Sequence, residues 1–279
     1  MTTEKEVVIT RVGMNPNRKA RIQPFSKVVC LVLTHLPNMY GYHADRLTIV
    51  QNSLGSLLRE SPFTIVWDNG SCHDFRKWLE SYSADRVILS DNIGTTNPVK
   101  AVLSGLPPDT IVAVADDDVE YFPNWLQPQI DILTTFPNVG VVSGCPSRIG
   151  AVMAVDSTIN WAQGNAEIES GRFISDEDER DFARSLGKDW NRHYEEVRHI
   201  SDIKVTYNAV SALVGAKHWQ YVCYAGRVAP LIEWTNSAMP KLRLFVRAIN
   251  AAGLLRLSTV QRYTRHMGNV LGSPPAGGV

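Results

Sequence analysis

An α/β fold, with a mostly parallel central sheet and helices on both faces, is predicted by three observations. Five short, apolar, β-branched runs recur at 27–34, 63–67, 86–90, 110–115 and 139–144. Each is apolar at consecutive positions, the pattern of a strand covered on both faces. One helical segment falls in each gap, near 43–59, 73–83, 98–104 and 124–136. Strands joined through single helices need crossover connections, which makes them parallel.

Residues 1–26 read as a polar extension rich in Asn, Pro and Arg, with a short strand at 7–12. The strand–helix alternation runs from 27 to 145 and then breaks. Little strand signal is present over 150–205, which holds the charged stretch 175–202; five acids and one arginine occupy 176–181. Alone, such a stretch is a solvated helix face or a mobile loop. Residues 208–219 read as a strand and turn. A helix is expected over 240–253, with Pro240 near its start and Gly253 near its end, and a last short strand follows. The Gly- and Pro-rich 268–279 reads as a disordered tail. One domain is therefore expected at 27–267, with halves 27–145 and 146–267.

The 279 residues are 44% hydrophobic and 20% charged, enough to bury a sizeable core. Lys+Arg and Asp+Glu are 28 each, so net charge provides no field for nucleic acid. No apolar run approaches the ~20 residues that span a bilayer, and the first thirty residues lack a signal-peptide pattern. A cytoplasmic protein is expected, with Lys241, Arg243, Arg247 and Arg256 either touching an anionic membrane surface or packing on the sheet. The four cysteines, Cys30, Cys72, Cys145 and Cys223, have no zinc or C-x-x-C spacing and read as reduced thiols.

Ligands of an open parallel sheet bind outside the carboxyl ends of its strands. Here those ends lead into Thr34-His35, Asp68-Asn69-Gly70-Ser71, Asp91-Asn92-Ile93-Gly94 and Asp116-Asp117-Asp118. Three adjacent carboxylates at the end of an apolar strand repel one another, so something positive should compensate. Strand alternation would project Asp116 and Asp118 to one side and Asp117 to the other. Two carboxylates on one side suit a hard divalent cation that also binds phosphate oxygens; the alternative is an acidic turn feeding the helix after it. Asn97-Pro98 reads as an N-cap and first-turn proline, opening a helix whose free N–H groups, with Lys100, could meet a phosphate or simply belong to an ordinary capped helix.

Thr34-His35, the DNGS segment, Asn92 with Gly94, and AVADDDVEYFPNWL together resemble the nucleotide-binding half of family 2 glycosyltransferases with the GT-A fold, with the D-x-D motif at the strand end. The match covers about 27–145 and continues weakly to Arg265-His266-Met267-Gly268-Asn269. The resemblance implies a GT-A-like single domain with a mixed acceptor-side half. It implies that Thr34, His35 and Asp68 contact the nucleoside, and that Asn92, Gly94 and Lys100 lie along the ribose and diphosphate. Asp116 would face the ribose, with Asp117 beside it in the binding set. Asp118, with Asp116 and His266, would hold Mn²⁺ or Mg²⁺. The donor would be a nucleoside-diphosphate sugar, and the acceptor a hydroxyl of a glycan, a lipid-linked or other molecule, glycosylated with inversion.

Such a reaction leaves growing negative charge on the departing diphosphate. A carboxylate-held cation and preorganised positive groups stabilise that charge, and a carboxylate on the opposite face takes the acceptor proton. Relatives show an acidic pair before the helix that here opens near Pro240, whereas this chain has Leu231-Ile232-Glu233-Trp234-Thr235-Asn236. Glu233 is the base expected from this stretch, with Asp202 or an acid of 176–181 as substitutes; Trp234 either stacks on a sugar or is a core residue. Alternatives are a non-catalytic nucleotide-sugar-binding module or a sugar nucleotidyltransferase, whose Gly-rich, Arg-containing N-terminal loop is missing. A haloacid-dehalogenase-like phosphatase would carry its D-x-D on the first strand, not the fourth.

Overall fold

The computed structural model describes residues 28–60, 63–234 and 242–269. Each apolar run is a strand: β1 (Val28–Thr34), β2 (Thr64–Asn69), β3 (Arg86–Ser90), β4 (Ile111–Asp116) and, after a short β5 (Val119–Tyr121), β6 (Val139–Ser143). Between them lie α1 (Arg46–Leu57), α2 (His73–Glu80), α3 (Thr96–Gly105) and α4 (Gln127–Thr135). Strand alternation sorts the apolar side chains into two cores. Cys30, Val32, Ala113 and Ala115 pack with Leu54 of α1, Phe75 of α2 and Leu133 of α4. Leu31, Val112 and Val114 pack on the other face with Val99, Val102 and Leu103 of α3. This double burial is why the runs carry almost no polar residue.

The remaining elements are α5 (Asp156–Asn165), β7 (Glu167–Gly171), α6 (Asp176–Ser185), α7 (Trp190–Val197), β8 (Asp202–Tyr207), β9 (Val210–Val214), β10 (Gln220–Tyr224), α8 (Ala225–Val228), α9 (Leu242–Ala251), β11 (Leu255–Ser258) and β12 (Thr264–His266). The main sheet has ten strands in the order β3-β2-β1-β4-β10-β6-β11-β9-β8-β7, and β12 pairs with β5. Strands β1, β2, β3, β4, β6, β8 and β11 point one way, with β7, β9 and β10 against them. Antiparallel β10 separates β4 from β6, so the sheet is mixed.

Several expectations change. Strand β7 was invisible because it is the exposed, polar edge of the sheet, where no second face needs apolar cover. The acid-rich 176–181 is neither a mobile loop nor a wholly solvated face. Ser175 caps α6 by accepting the N–H of Asp178 at 3.0 Å, and the acids that follow favour the helix dipole. Glu179 within it is buried, accepting the N–H of Arg148 at 2.7 Å and facing His193 Nε2 at 2.9 Å. Asp202 is buried too, accepting the N–H groups of Phe173 and Ile174; it is a structural residue and no substitute base. Trp234 is 62% exposed, not a core residue. Arg256 is buried, donating to the carbonyls of Met153, Ala154 and Ala216, and so belongs to no basic membrane patch.

Helix α9 falls within the expected 240–253, and Gly253 follows it at φ +69°, the left-handed stop that glycine supplies. Cys30, Cys145 and Cys223 are buried and Cys72 is partly buried. No helix of the described residues is long and apolar enough to cross a membrane. The extension with its strand at 7–12, Pro240, Lys241 and all but the first two residues of the expected tail lie outside the described residues.

Candidate active site at the carboxyl edge of the sheet

Strand β1 lies between β2 and β4, so the connections leaving β1 and β4 diverge at this point of the sheet. The register aligns the strand ends: Thr34 with Asp68, Leu33 with Asp116, and Asn69 with Ser90. The four predicted segments therefore share one edge.

The loops after β1, β2 and β3 are locked together. Asp68 is fully buried; its carboxylate accepts from Arg76 Nε at 2.8 Å, the Ser71 N–H at 3.2 Å and Thr34 Oγ1 at 3.4 Å. Turned inward in this way, it shapes the loop and does not present its oxygens to solvent. The His35 ring donates through Nδ1 to the Asn69 carbonyl at 3.0 Å. Asn69 accepts the Ile93 N–H at 2.9 Å and donates to the Gly94 carbonyl at 3.2 Å, while Asn92 Oδ1 accepts the Gly94 N–H at 3.0 Å. Gly70 makes this interlock possible. It sits at φ +88°, and a Cβ there would lie 2.7 Å from the Asn92 nitrogen. Gly70→Ala should destabilise the protein by about 1–3 kcal/mol, measured by denaturant titration, because strain and overlap act together.

The aspartates do not alternate as a continuing strand would require. Strand β4 ends at Asp116, and a tight turn carries Asp117 and Asp118 into β5. It is Asp117 and Asp118 that come together, on Arg46 at the start of α1. Arg46 Nη2 donates to Asp117 Oδ1, and Nη1 donates to Asp118 Oδ2 at 3.2 Å. Arg46 is the residue that sequence reasoning missed. The demand for positive charge beside the acids was its only trace. Asp117 Oδ2 accepts the His35 N–H at 3.4 Å, so both of its oxygens are engaged within the chain.

The second half of the chain reaches the same point. Strand β12 is held by its pairing with β5, by Tyr263 and Thr264 donating to the Gly144 carbonyl, and by Thr264 Oγ1 donating to the buried Gln220 side chain at 3.2 Å. The Met267 N–H donates to the Asp118 carbonyl at 2.7 Å. His266 Nε2 is thereby placed 3.4 Å from Asp118 Oδ2, with Nδ1 hydrogen-bonded to Ser185 Oγ at 2.9 Å. Asn269, expected in the tail, instead accepts from Arg46 Nη1 at 3.0 Å and donates to the Tyr42 hydroxyl at 3.0 Å.

The electrostatics are those of crowded acids with too little cation. Burial, then repulsion by Asp118 and Asp117, raises Asp116 well above the usual carboxylate range. Burial pushes Asp117 up to about 6, although Arg46 opposes it. Burial lowers His266 against the pull of Asp118, which favours a neutral imidazole. Asp118 Oδ1 is buried and without a hydrogen-bond partner among the described residues. Among the described residues, no group of three or more His, Cys, Asp or Glu forms a preformed metal cage. A hard cation that keeps most of its waters and takes one or two carboxylates plus phosphate oxygens needs none, and the spare Asp118 oxygen beside a neutral imidazole fits that donor set.

Two expectations at the rim shift. Helix α3 begins at Thr96 with Thr95 as N-cap and no side-chain cap bond. Asn97 lies in the first turn, donating back to the Ile93 carbonyl at 2.8 Å, so it is not the cap. Lys100 Nζ donates to the Ala229 carbonyl at 2.5 Å, which uses one of its three donors. Glu233 is exposed four residues beyond Ala229, and no contact joins it to the acid cluster among the described residues.

No family model matches the chain, and no curated protein matches it. Solved structures do. A mannosyltransferase from Pyrobaculum calidifontis, in complex with GDP-Man and Mn²⁺, is similar at 19% identity and a TM-score of 0.32, over 44% of this chain and 36% of that one. An N-acetylgalactosaminyltransferase solved with UDP, GalNAc and Mn²⁺ is similar at 10% identity and a TM-score of 0.46, over 86% of this chain and 43% of that one. A 4-diphosphocytidyl-2C-methyl-D-erythritol synthase is similar at 13% identity and a TM-score of 0.45, over 91% of this chain and 95% of that one. The chain spans less than half the length of the first two of these structures.

Proposed function

We propose that this chain is a metal-dependent glycosyltransferase of the family 2 kind, moving a sugar from a nucleoside-diphosphate sugar to an acceptor hydroxyl with inversion. One observation carries the reading. At the switch point of the sheet, Asp118 keeps a buried oxygen without a partner inside a cluster of three carboxylates that has a single guanidinium.

Asp118 through Oδ1, Asp116 and His266 are the residues that would hold Mn²⁺ or Mg²⁺. The ion, when bound, supplies Lewis-acid neutralisation of the departing diphosphate. Asp117 takes a different part: its two oxygens fix Arg46 and the main chain at His35, which sets the wall of the cleft. His35, Asn92 and Gly94 form the interlocked rim against which a nucleoside would lie, with Thr34 and Asp68 as its floor. The first turn of α3 and the two spare donors of Lys100 face developing negative charge on the diphosphate.

Glu233 accepts the proton of the acceptor hydroxyl as that oxygen bonds to the anomeric carbon. The bond from that carbon to the diphosphate oxygen breaks in the same displacement, and its electron pair leaves with the nucleoside diphosphate. Glu233→Gln should lower turnover roughly a hundredfold, within the range of general-base contributions, and leave donor affinity unchanged in a binding titration. Unchanged turnover would remove Glu233 from the mechanism.

The whole reading is tested by incubating the protein with Mn²⁺ and a panel of nucleotide sugars, scoring nucleoside diphosphate release with and without EDTA. Donor binding without turnover across acceptors would make it a binding module. Pyrophosphate release from a nucleoside triphosphate and a sugar phosphate would make it a nucleotidyltransferase.

A further inference from the structure

The loop 215–219 joins β9 to β10 and is pinned at both ends. The Gly215 N–H donates to the Arg256 carbonyl at 2.8 Å, and Arg256 Nη2 returns to the Ala216 carbonyl at 2.7 Å. At the other end the Trp219 carbonyl accepts the Asp116 N–H at 2.9 Å, and the Trp219 ring lies 5.3 Å from that of His266. The backbone of the residues between, Lys217 and His218, is thus held on the β10 flank of β4, opposite the β1 flank, with the Lys217 charge close enough to act on His266.

Lys217 is half-buried, with its ammonium 4.1 Å from the centre of the Phe182 ring. Among the described residues it has no ion pair and no hydrogen-bond acceptor. The acids around it are spent. Glu179 serves Arg148 and His193, and Asp178 and Asp181 hold Arg262 at 2.8 and 3.1 Å. Burial pushes Lys217 down to about 8, although Cys145 and Glu179 oppose it. A ring face satisfies one direction of a group that has three donors. The remaining donors of this partly exposed ammonium are open to an anion.

We infer that the 215–219 loop is a second cationic element of the site, and that Lys217 binds a phosphate of the donor's diphosphate alongside Lys100. The inference rests on the nucleotide-sugar reading and extends it to a residue outside the aspartate loop. It also answers a deficit of positive charge: Arg46 is committed to Asp117 and Asp118, which leaves Lys100 as the other cation offered to the diphosphate.

The test is calorimetric titration of the full chain with uridine and guanosine diphosphates, the matching nucleosides, inorganic pyrophosphate and glycerol phosphate, each with Mn²⁺ and with EDTA. Lys217→Met should weaken the preferred nucleoside diphosphate and pyrophosphate roughly ten- to a hundredfold, the worth of one charge-assisted hydrogen bond. Nucleoside affinity should hold, and Lys217→Arg should recover most of the loss. Unchanged diphosphate affinity in Lys217→Met overturns the inference. So does equal loss for the nucleoside, which would signal a structural role, or a loss confined to glycerol phosphate, which would assign Lys217 to a phosphorylated acceptor. If the wild-type chain binds no nucleoside diphosphate under either condition, the functional reading itself fails.

Discussion

Asp118→Asn is expected to reduce nucleoside diphosphate release by about a thousandfold, while the folded protein becomes no less stable. The first half of that outcome follows from the oxygens available. Asp117 has both of its oxygens engaged, by Arg46 and the His35 N–H. Asp118 Oδ2 is shared between Arg46 and His266, which leaves Oδ1 as its free, buried donor. An amide at that position carries no charge and can turn an NH₂ toward the cation. Lewis-acid stabilisation amounts to several kcal/mol, and each 1.36 kcal/mol is tenfold in rate.

The second half follows from repulsion. Asp118 is among the charges that hold Asp116 and Asp117 above the usual carboxylate range. Neutralising it relieves both, and the amide oxygen can still accept from Arg46. The melting temperature of Asp118→Asn in EDTA should match the wild type or exceed it by about 2–4 °C, the shift that ~1 kcal/mol produces in a domain of this size. Mn²⁺ should raise the melting temperature of the wild type but not of the variant. Wild-type turnover, or a melting temperature depressed by many degrees, would contradict the assignment. A site that costs stability and returns it when disabled is a site kept for function.

What could be read in the sequence divides along a physical line. Strands buried on both faces announce themselves, because each side chain must be apolar; all five runs of 27–145 are strands, although β3, at the sheet's other edge, is legible from its apolar run without that burial. Edge strand β7, Glu167–Gly171, obeys no such constraint and has the polarity of a loop. The acid cluster was legible because adjacent charges need compensation, but its partner was not. Arg46 stands 71 and 72 positions from Asp117 and Asp118, at the mouth of an ordinary helix, where an arginine is normally solvated. Asn269 was hidden by the composition of the tail after it. Glu179 and His193 read as surface charge because their mutual burial is a tertiary event. Composition reports on local solvation, whereas pairing across the fold leaves no local mark.

Arg46→Met is expected to destabilise the protein by about 3–5 kcal/mol at neutral pH, the cost of leaving buried charge without its partner, and to lower the melting temperature by on the order of 10 °C. Arg46 is 6% exposed, and among the described residues it brings the only guanidinium bonded to Asp117 and Asp118. The deficit should depend on pH with a definite sign. Asp117 titrates near 6 in the folded protein and near ~3.9 when unfolded, and Asp116 is shifted in the same direction. Folding therefore takes up protons: the stability owed to the protonated carboxyls is complete below pH ~4 and is lost as pH rises through about 6. Removing Arg46 moves the folded values higher still, so the loss deepens and extends toward higher pH. Denaturant titrations in EDTA should show the variant close to wild type near pH 4–5 and furthest from it near pH 8, with Arg46→Lys in between because it keeps the charge without the two-pronged geometry. A deficit of the same size at every pH would mean that Arg46 matters for packing alone. No deficit at pH 8 would mean that the acids find their counter-charge elsewhere, and the argument for a cation-hungry cluster would lose its footing.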